Sequence, residues 1–187
     1  MLRKALLFAT AITLLAGYAT NAGAQDYKPD PKVLTAISKS KVTLAQGLAS
    51  VKSPAVPISA KFELEDKPGG KLSLSIYVAT LGLRNPAKAA LKEISGSPET
   101  APWNPEVGTL SGSGDIAAAN DQIKLLAKTH VTLAQVVRRA QSEVKGTIVS
   151  IAPVSESGHA KFAVFVASGG TAHEIDYDLM SGRRIGR

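Results

Sequence analysis

The sequence predicts an α+β protein of two tandem units, each a helix packed on a short antiparallel sheet of about three strands. Three observations carry this: an internal repeat, apolar residues at helical spacing near the start of each copy, and period-two alternation broken by turn residues after it. Residues 34–48 align without a gap to residues 123–137, an offset of 89, and Val-Thr-Leu-Ala-Gln is identical at 42–46 and 131–135. Downstream, residues 71–76 match 161–166 at an offset of 90, so the two registers differ by a single residue.

Each copy then reads in order. Thr43 and Thr132 precede Leu-Ala-Gln and suit an N-cap whose hydroxyl satisfies a free backbone N–H, with Val42 or Val131 packed as a hydrophobic staple. Leu44, Leu48 and Val51 in one copy, and Leu133, Val136, Val137 and Ala140 in the other, form one apolar stripe. Phe62 and Leu64, then Leu72, Leu74 and Ile76, alternate with polar residues on either side of a turn at 66–70, which is a hairpin. Copy two repeats it with Val149 and Ile151, a turn at 155–158, and Phe162, Val164 and Val166; a third strand carries Ile175, Tyr177 and Leu179 after Gly169 and Gly170. In copy one, Asn85, Pro86 and Gly96 frame a segment of helical propensity. Aligning 92–94 with 173–175 makes its end a strand over 91–97, and the strand is preferred because two strands alone are marginal.

These residues resemble the PepSY family, a small bacterial exported or membrane-associated module whose repeat is a helix with a short antiparallel sheet. The resemblance rests on Val131-Thr-Leu-Ala-Gln135 opening a helix. It rests also on Glu174-Ile-Asp-Tyr-Asp178 running into Ser181-Gly182-Arg183-Arg184-Ile185, which looks like the family's closing strand with its D-x-x-[ST]-G-[KR] turn. It would cover residues 32–98, a divergent copy with an insertion, and 121–187, with 99–120 as a Pro- and Gly-rich linker. Family members are inhibitory or regulatory domains known from propeptides of secreted peptidases, so the resemblance implies a noncatalytic binding role.

Residues 1–24 read as a secretory signal peptide: Arg3 and Lys4, an apolar run, and Ala22-Gly23-Ala24 as the cleavage pattern, with cleavage after Ala24. The uncharged stretch 5–24 is also long enough to span a bilayer, but Asn21 and two glycines weaken it as an anchor. Tyr18 stands where a lipid-anchoring Cys would have to be. Cleavage leaves 163 residues with 20 basic and 15 acidic side chains, a periplasmic or secreted protein whose mild positive excess favours anionic surfaces. No basic run is interleaved with aromatics, so nucleic acid is not expected as a partner, and membrane contact is expected to be peripheral at most. Units of about 65 residues have small cores, so the copies should pack on each other or dimerise.

The absence of cysteine removes disulfides, thiolate metal sites and thiol nucleophiles. Gly112, Gly114 and Ala117 imitate a dinucleotide fingerprint, but with no strand before them and no βαβ unit around them the imitation is rejected. Glu174, Asp176 and Asp178 line one face of a strand and read as a solvated acidic face opposite Lys161, while His130, His159 and His173 lack metal-ligand spacing. No catalytic residue, cofactor or metal ligand is assigned. The candidate partner-binding residues are Trp103 in the linker, Arg138 and Arg139 on the second helix, and Arg183 and Arg184 near the C-terminus. The expected function is an exported, noncatalytic binding or inhibitory module for an exported or envelope protein, with a peptidase as one candidate. The alternative is an envelope sensor or a ligand- or metal-binding protein.

Overall fold

The structure, a computed structural model, describes residues 28–65, 69–84 and 90–186. Its described strands are β1 (Val56–Leu64), β2 (Leu72–Ala79), β3 (Leu91–Gly96), β4 (Glu106–Thr109), β5 (Thr147–Glu156), β6 (His159–Ser168) and β7 (Thr171–Asp178). They form one seven-stranded antiparallel sheet in the order β4-β3-β2-β1-β5-β6-β7. Among the described residues four helices accompany it: α1 (Pro31–Ala36), extended by a 3₁₀ turn at Ile37–Lys39, α2 (Leu44–Ser50), α3 (Ser113–Leu126) and α4 (Leu133–Glu143).

The expectation of two separate helix-on-small-sheet units is therefore wrong. The first strands of the two copies pair with each other, Ala60 with Ile151 and Lys61 with Ser150, and turn two small sheets into one. The physical reason lies in what separate units would expose: β1 and β5 would each be an edge strand with a row of unpaired N–H and C=O groups. Joining them removes both edges at once. The seam also reflects the repeat, because Ser150 is the counterpart of Lys61 at the offset of 89. The two copies thus meet about a local two-fold axis through that pair.

Register inside the copies follows the repeat as well. Phe62 faces Leu74, and their counterparts Ile151 and Val164 face each other. The strand expected at the end of copy one is present as β3, while residues 85–89, where helical propensity lies, fall outside the described residues. Its alignment to copy two needs correction, since Gly96 faces Leu74 as Ile175 faces Val164, a slip of two residues that leaves every side chain on its expected face. Residues 99–120, read as a linker, supply β4 and the first two turns of α3. The hairpin turns of copy two are tighter than expected: Ser157 and Gly158, then Gly169 and Gly170, all have positive φ, the backbone of two-residue primed turns.

The apolar stripes of α2 and α4 pack on each other and on the face of the sheet that carries Phe62, Leu74, Ile76, Ile151, Phe162 and Val164. Gly47 of α2 sits so close that a Cβ there would lie 2.7 Å from Leu74 Cδ2. Both helices open with complete capping boxes: in α4 the Thr132 hydroxyl accepts from Gln135 N at 3.3 Å, and Thr132 N donates to Gln135 Oε1 at 2.8 Å. Thr43 and Gln46 repeat the arrangement in α2. Thr132→Ala is accordingly expected to lower stability by about 1 kcal/mol in urea denaturation. An unchanged midpoint would show that solvent replaces the cap at no cost.

Candidate functional site: a groove between α3 and the open sheet face

The other face of the sheet is only partly covered. Helix α3 lies against β1 and β5, and beside it opens a groove of about 550 Å³. Alternation sets its chemistry, because the residues between the core positions of β1, β5, β6 and β7 point into it. Ala152, Ala163, Ala172 and Phe165 give apolar surface on the strands, Ala118 and Ala119 continue it on α3, and Lys61, Tyr77, Gln122, Lys161 and Glu174 add polar groups.

One ammonium organises the polar end. Lys161 is 9% exposed and its Nζ lies 2.6 Å from Glu156, 2.8 Å from Asp176 and 3.4 Å from Glu174. Burial alone would push the lysine pKa down, but the hydrogen bonds to Asp176 and Glu156 outweigh it and hold the ammonium above the usual lysine range. The Glu174 carboxyl is pushed up, first by burial and then by repulsion from Asp176, with Lys161 opposing. The acidic strand is therefore not simply solvated: Lys161 ties down Glu174 and Asp176. Asp178, directly opposite Lys161 in the ladder, turns instead to accept from the Ser181 hydroxyl at 2.6 Å and the Ser181 N–H at 2.8 Å. These bonds lower its pKa.

Across the groove, Lys61 pairs with Glu63 at 2.6 Å and lies 5.5 Å from the centre of the Tyr77 ring, within cation–π range. Burial, then the Glu63, Glu93 and Asp115 carboxylates, push the Tyr77 hydroxyl well above the ordinary tyrosine range. Among the described residues no group of three or more His, Asp or Glu is placed to hold a metal ion.

The residues singled out in the sequence lie elsewhere. Trp103 is half-buried and donates from Nε1 to the Gly96 carbonyl at 3.3 Å, which puts it beside β3 and not at the β1–β5 seam. Arg139 donates to the Gly182 carbonyl, and Gly182, with φ of +62°, leaves little room beside Val131. The segment after β7 folds back along it, with Asp178 N bonded to Arg183 O and Ile185 N to Asp176 O, both at 2.8 Å. It lines the outer edge of the sheet. Arg139, Arg183 and Arg184 are thus brought together at the closing turn, and Arg138 stands exposed on the same helix as Arg139. Tyr177 reaches the end of α4, where burial and its 3.1 Å bond to Glu143 push its hydroxyl up to about 12. Ala24, the expected cleavage position, lies outside the described residues. A strand, β4, does precede the glycines at 112 and 114, but it is an antiparallel strand at the sheet edge and forms no βαβ unit.

Sequence reasoning missed the groove itself. The available signal was alanine at 152, 163 and 172, positions between core residues on strands where a solvated face would carry polar side chains.

Fold and groove together define a class: a protein built mostly of one seven-stranded antiparallel sheet, with helices packed on it and one face partly open. No family model matches the chain, and no curated protein matches it. Among solved structures, it is similar to a lipoprotein candidate from Clostridium difficile 630 at 13% identity, over 79% of this chain and 92% of that one. The TM-score of 0.36 is too low to carry fold or function across.

Proposed function

We propose that this protein is a noncatalytic binding module of the bacterial cell envelope, PepSY-like and exported by residues 1–24, that holds an extended segment of an exported partner in the groove. The observation that carries the reading is the groove itself: a cleft of about 550 Å³ with an alanine-lined surface that a peptide backbone can approach closely, and charged side chains along it to select a sequence. A segment lying there would add its surface to a sheet face that α2 and α4 leave alone. No described helix is long and apolar enough to cross a membrane. A secreted peptidase is the partner class that the PepSY resemblance suggests.

The test fills the groove. Ala118→Trp and Ala172→Trp, at two half-buried lining positions, are expected to abolish capture of the partner from periplasmic extract and any inhibition of it as a peptidase. Trp103→Ala and Arg138→Ala should leave both intact. Equal capture by the groove-filled variants would move the site elsewhere on the molecule. A small ligand is the second reading, because the same volume suits one. A metabolite that raises the thermal midpoint of the parent but not of Ala118→Trp would support it.

A further inference from the structure

A second surface, separate from the groove, joins basic and apolar side chains at the closing turn. Three contacts build it. Arg139 of α4 donates to Gly182 O, Thr129 of the α3–α4 loop donates to Leu179 O at 2.8 Å, and Val131 packs against Gly182. The loop carrying Lys128 and His130, the helix carrying Arg138 and Arg139, and the turn carrying Arg183 and Arg184 therefore share one end of the molecule. Among the described residues, Arg138, Arg183 and Arg184 make no ion pair. Of the carboxylates at this end, Glu143 accepts from the Tyr177 hydroxyl, Asp178 from Ser181, and Asp176 pairs with Lys161. The same turn segment exposes two large apolar side chains, Met180 at 63% and Ile185 at 47%.

We infer that this end of the molecule is a docking surface for anionic lipid headgroups at a membrane. Charge complementarity selects the partner's sign, since unpaired guanidiniums bind phosphate oxygens well. Met180 and Ile185 select a lipid surface over an acidic protein or a free phosphate. Contact with charges alone leaves exposed apolar side chains in water, whereas a bilayer interface takes them below the headgroups. The backbone of the turn is already fixed by its bonds to β7, so little order has to be gained on contact.

The experiment is co-sedimentation of the chain beginning at Gln25, which keeps every described residue, with vesicles of phosphatidylcholine or of phosphatidylglycerol. Binding is expected to the anionic vesicles alone and to weaken as salt is raised. Arg183→Glu with Arg184→Glu should weaken it about tenfold or more. Met180→Ser with Ile185→Ser, which keeps all charges, should weaken it several-fold. Because the Arg184 backbone bridges to Tyr177, Arg138→Glu on the helix surface serves as an independent charge reversal, with the thermal midpoint of each variant confirming the fold. Equal binding to both vesicle types, no binding to the anionic ones, or binding indifferent to charge reversal would overturn the inference. So would soluble polyglutamate binding as tightly as vesicles together with no effect of the Met180 and Ile185 changes, which would make the surface a reader of any polyanion.

Discussion

Lys161→Ala is expected to destabilise the protein by about 3 kcal/mol near neutral pH, because it leaves three carboxylates facing one another without their cation. The contributions are unequal. The side chains of Glu156 and Glu174 are 62% and 43% exposed and can turn to water, so most of the cost comes from Asp176, at 28%. Asp176 also has a buried oxygen with no hydrogen-bond partner, so it has little to fall back on once the ammonium is gone. The pH dependence separates charge from packing. Removing the ammonium takes away the influence that lowers the Glu174 pKa, so in the variant this carboxyl binds a proton more readily in the folded state than in the unfolded one. A folded pKa above the unfolded value means stability that is present at low pH and lost as pH rises through the folded pKa. The deficit of Lys161→Ala should therefore be largest near neutrality and shrink toward about pH 4. Urea denaturation at the two pH values measures it, and Asp176→Asn added to the variant should recover part of the loss at neutral pH. A deficit of the same size at both pH values would assign it to the lost lysine stem.

Gly146→Ala is expected to cost about 3 kcal/mol or more, for two reasons that add. Gly146 has φ of +141°, a backbone region that L side chains rarely adopt, and a Cβ there would lie 2.5 Å from Ala167 O and 2.7 Å from Val166 Cγ1. The obstructing oxygen belongs to the backbone of β6, whose pairing with both β5 and β7 at Ala167 prevents it from moving aside. Gly158→Ala is the comparison: its φ is +82° but nothing lies within 4 Å of its Cβ, so it should lose only about 1 kcal/mol. Thermal or urea unfolding of the pair decides the matter. Equal losses would mean that the contact with Ala167 relaxes freely.

Features held by neighbours in the chain are legible in the sequence. Thr132 and Gln135 are three residues apart, so a capping box needs nothing from the rest of the molecule, and both copies form one. The alternation of Phe162, Val164 and Val166 marks a strand with one buried face whichever strand lies beside it. Even β3, in the divergent copy, follows from the repeat. Functional surfaces are legible in part. The arginines at 138, 139, 183 and 184 form visible clusters along the chain, but Arg139 is spent on Gly182, and the exposure of Met180 beside them depends on how the turn folds back. Trp103 stands out as the single tryptophan, yet its indole is bonded to the Gly96 carbonyl.

Spacing along the chain is enough to specify the repeat, the paired capped helices, the strands and the face each presents inward. Contact between distant parts of the chain is what makes two small sheets into one, gives a supposed linker a strand and half a helix, and opens a groove beside α3. The difference arises because backbone hydrogen bonds are the same for every strand. An edge can be closed by any partner of suitable register, so the meeting of Lys61 with Ser150, and the cleft that follows from it, exists only once the two copies are in contact.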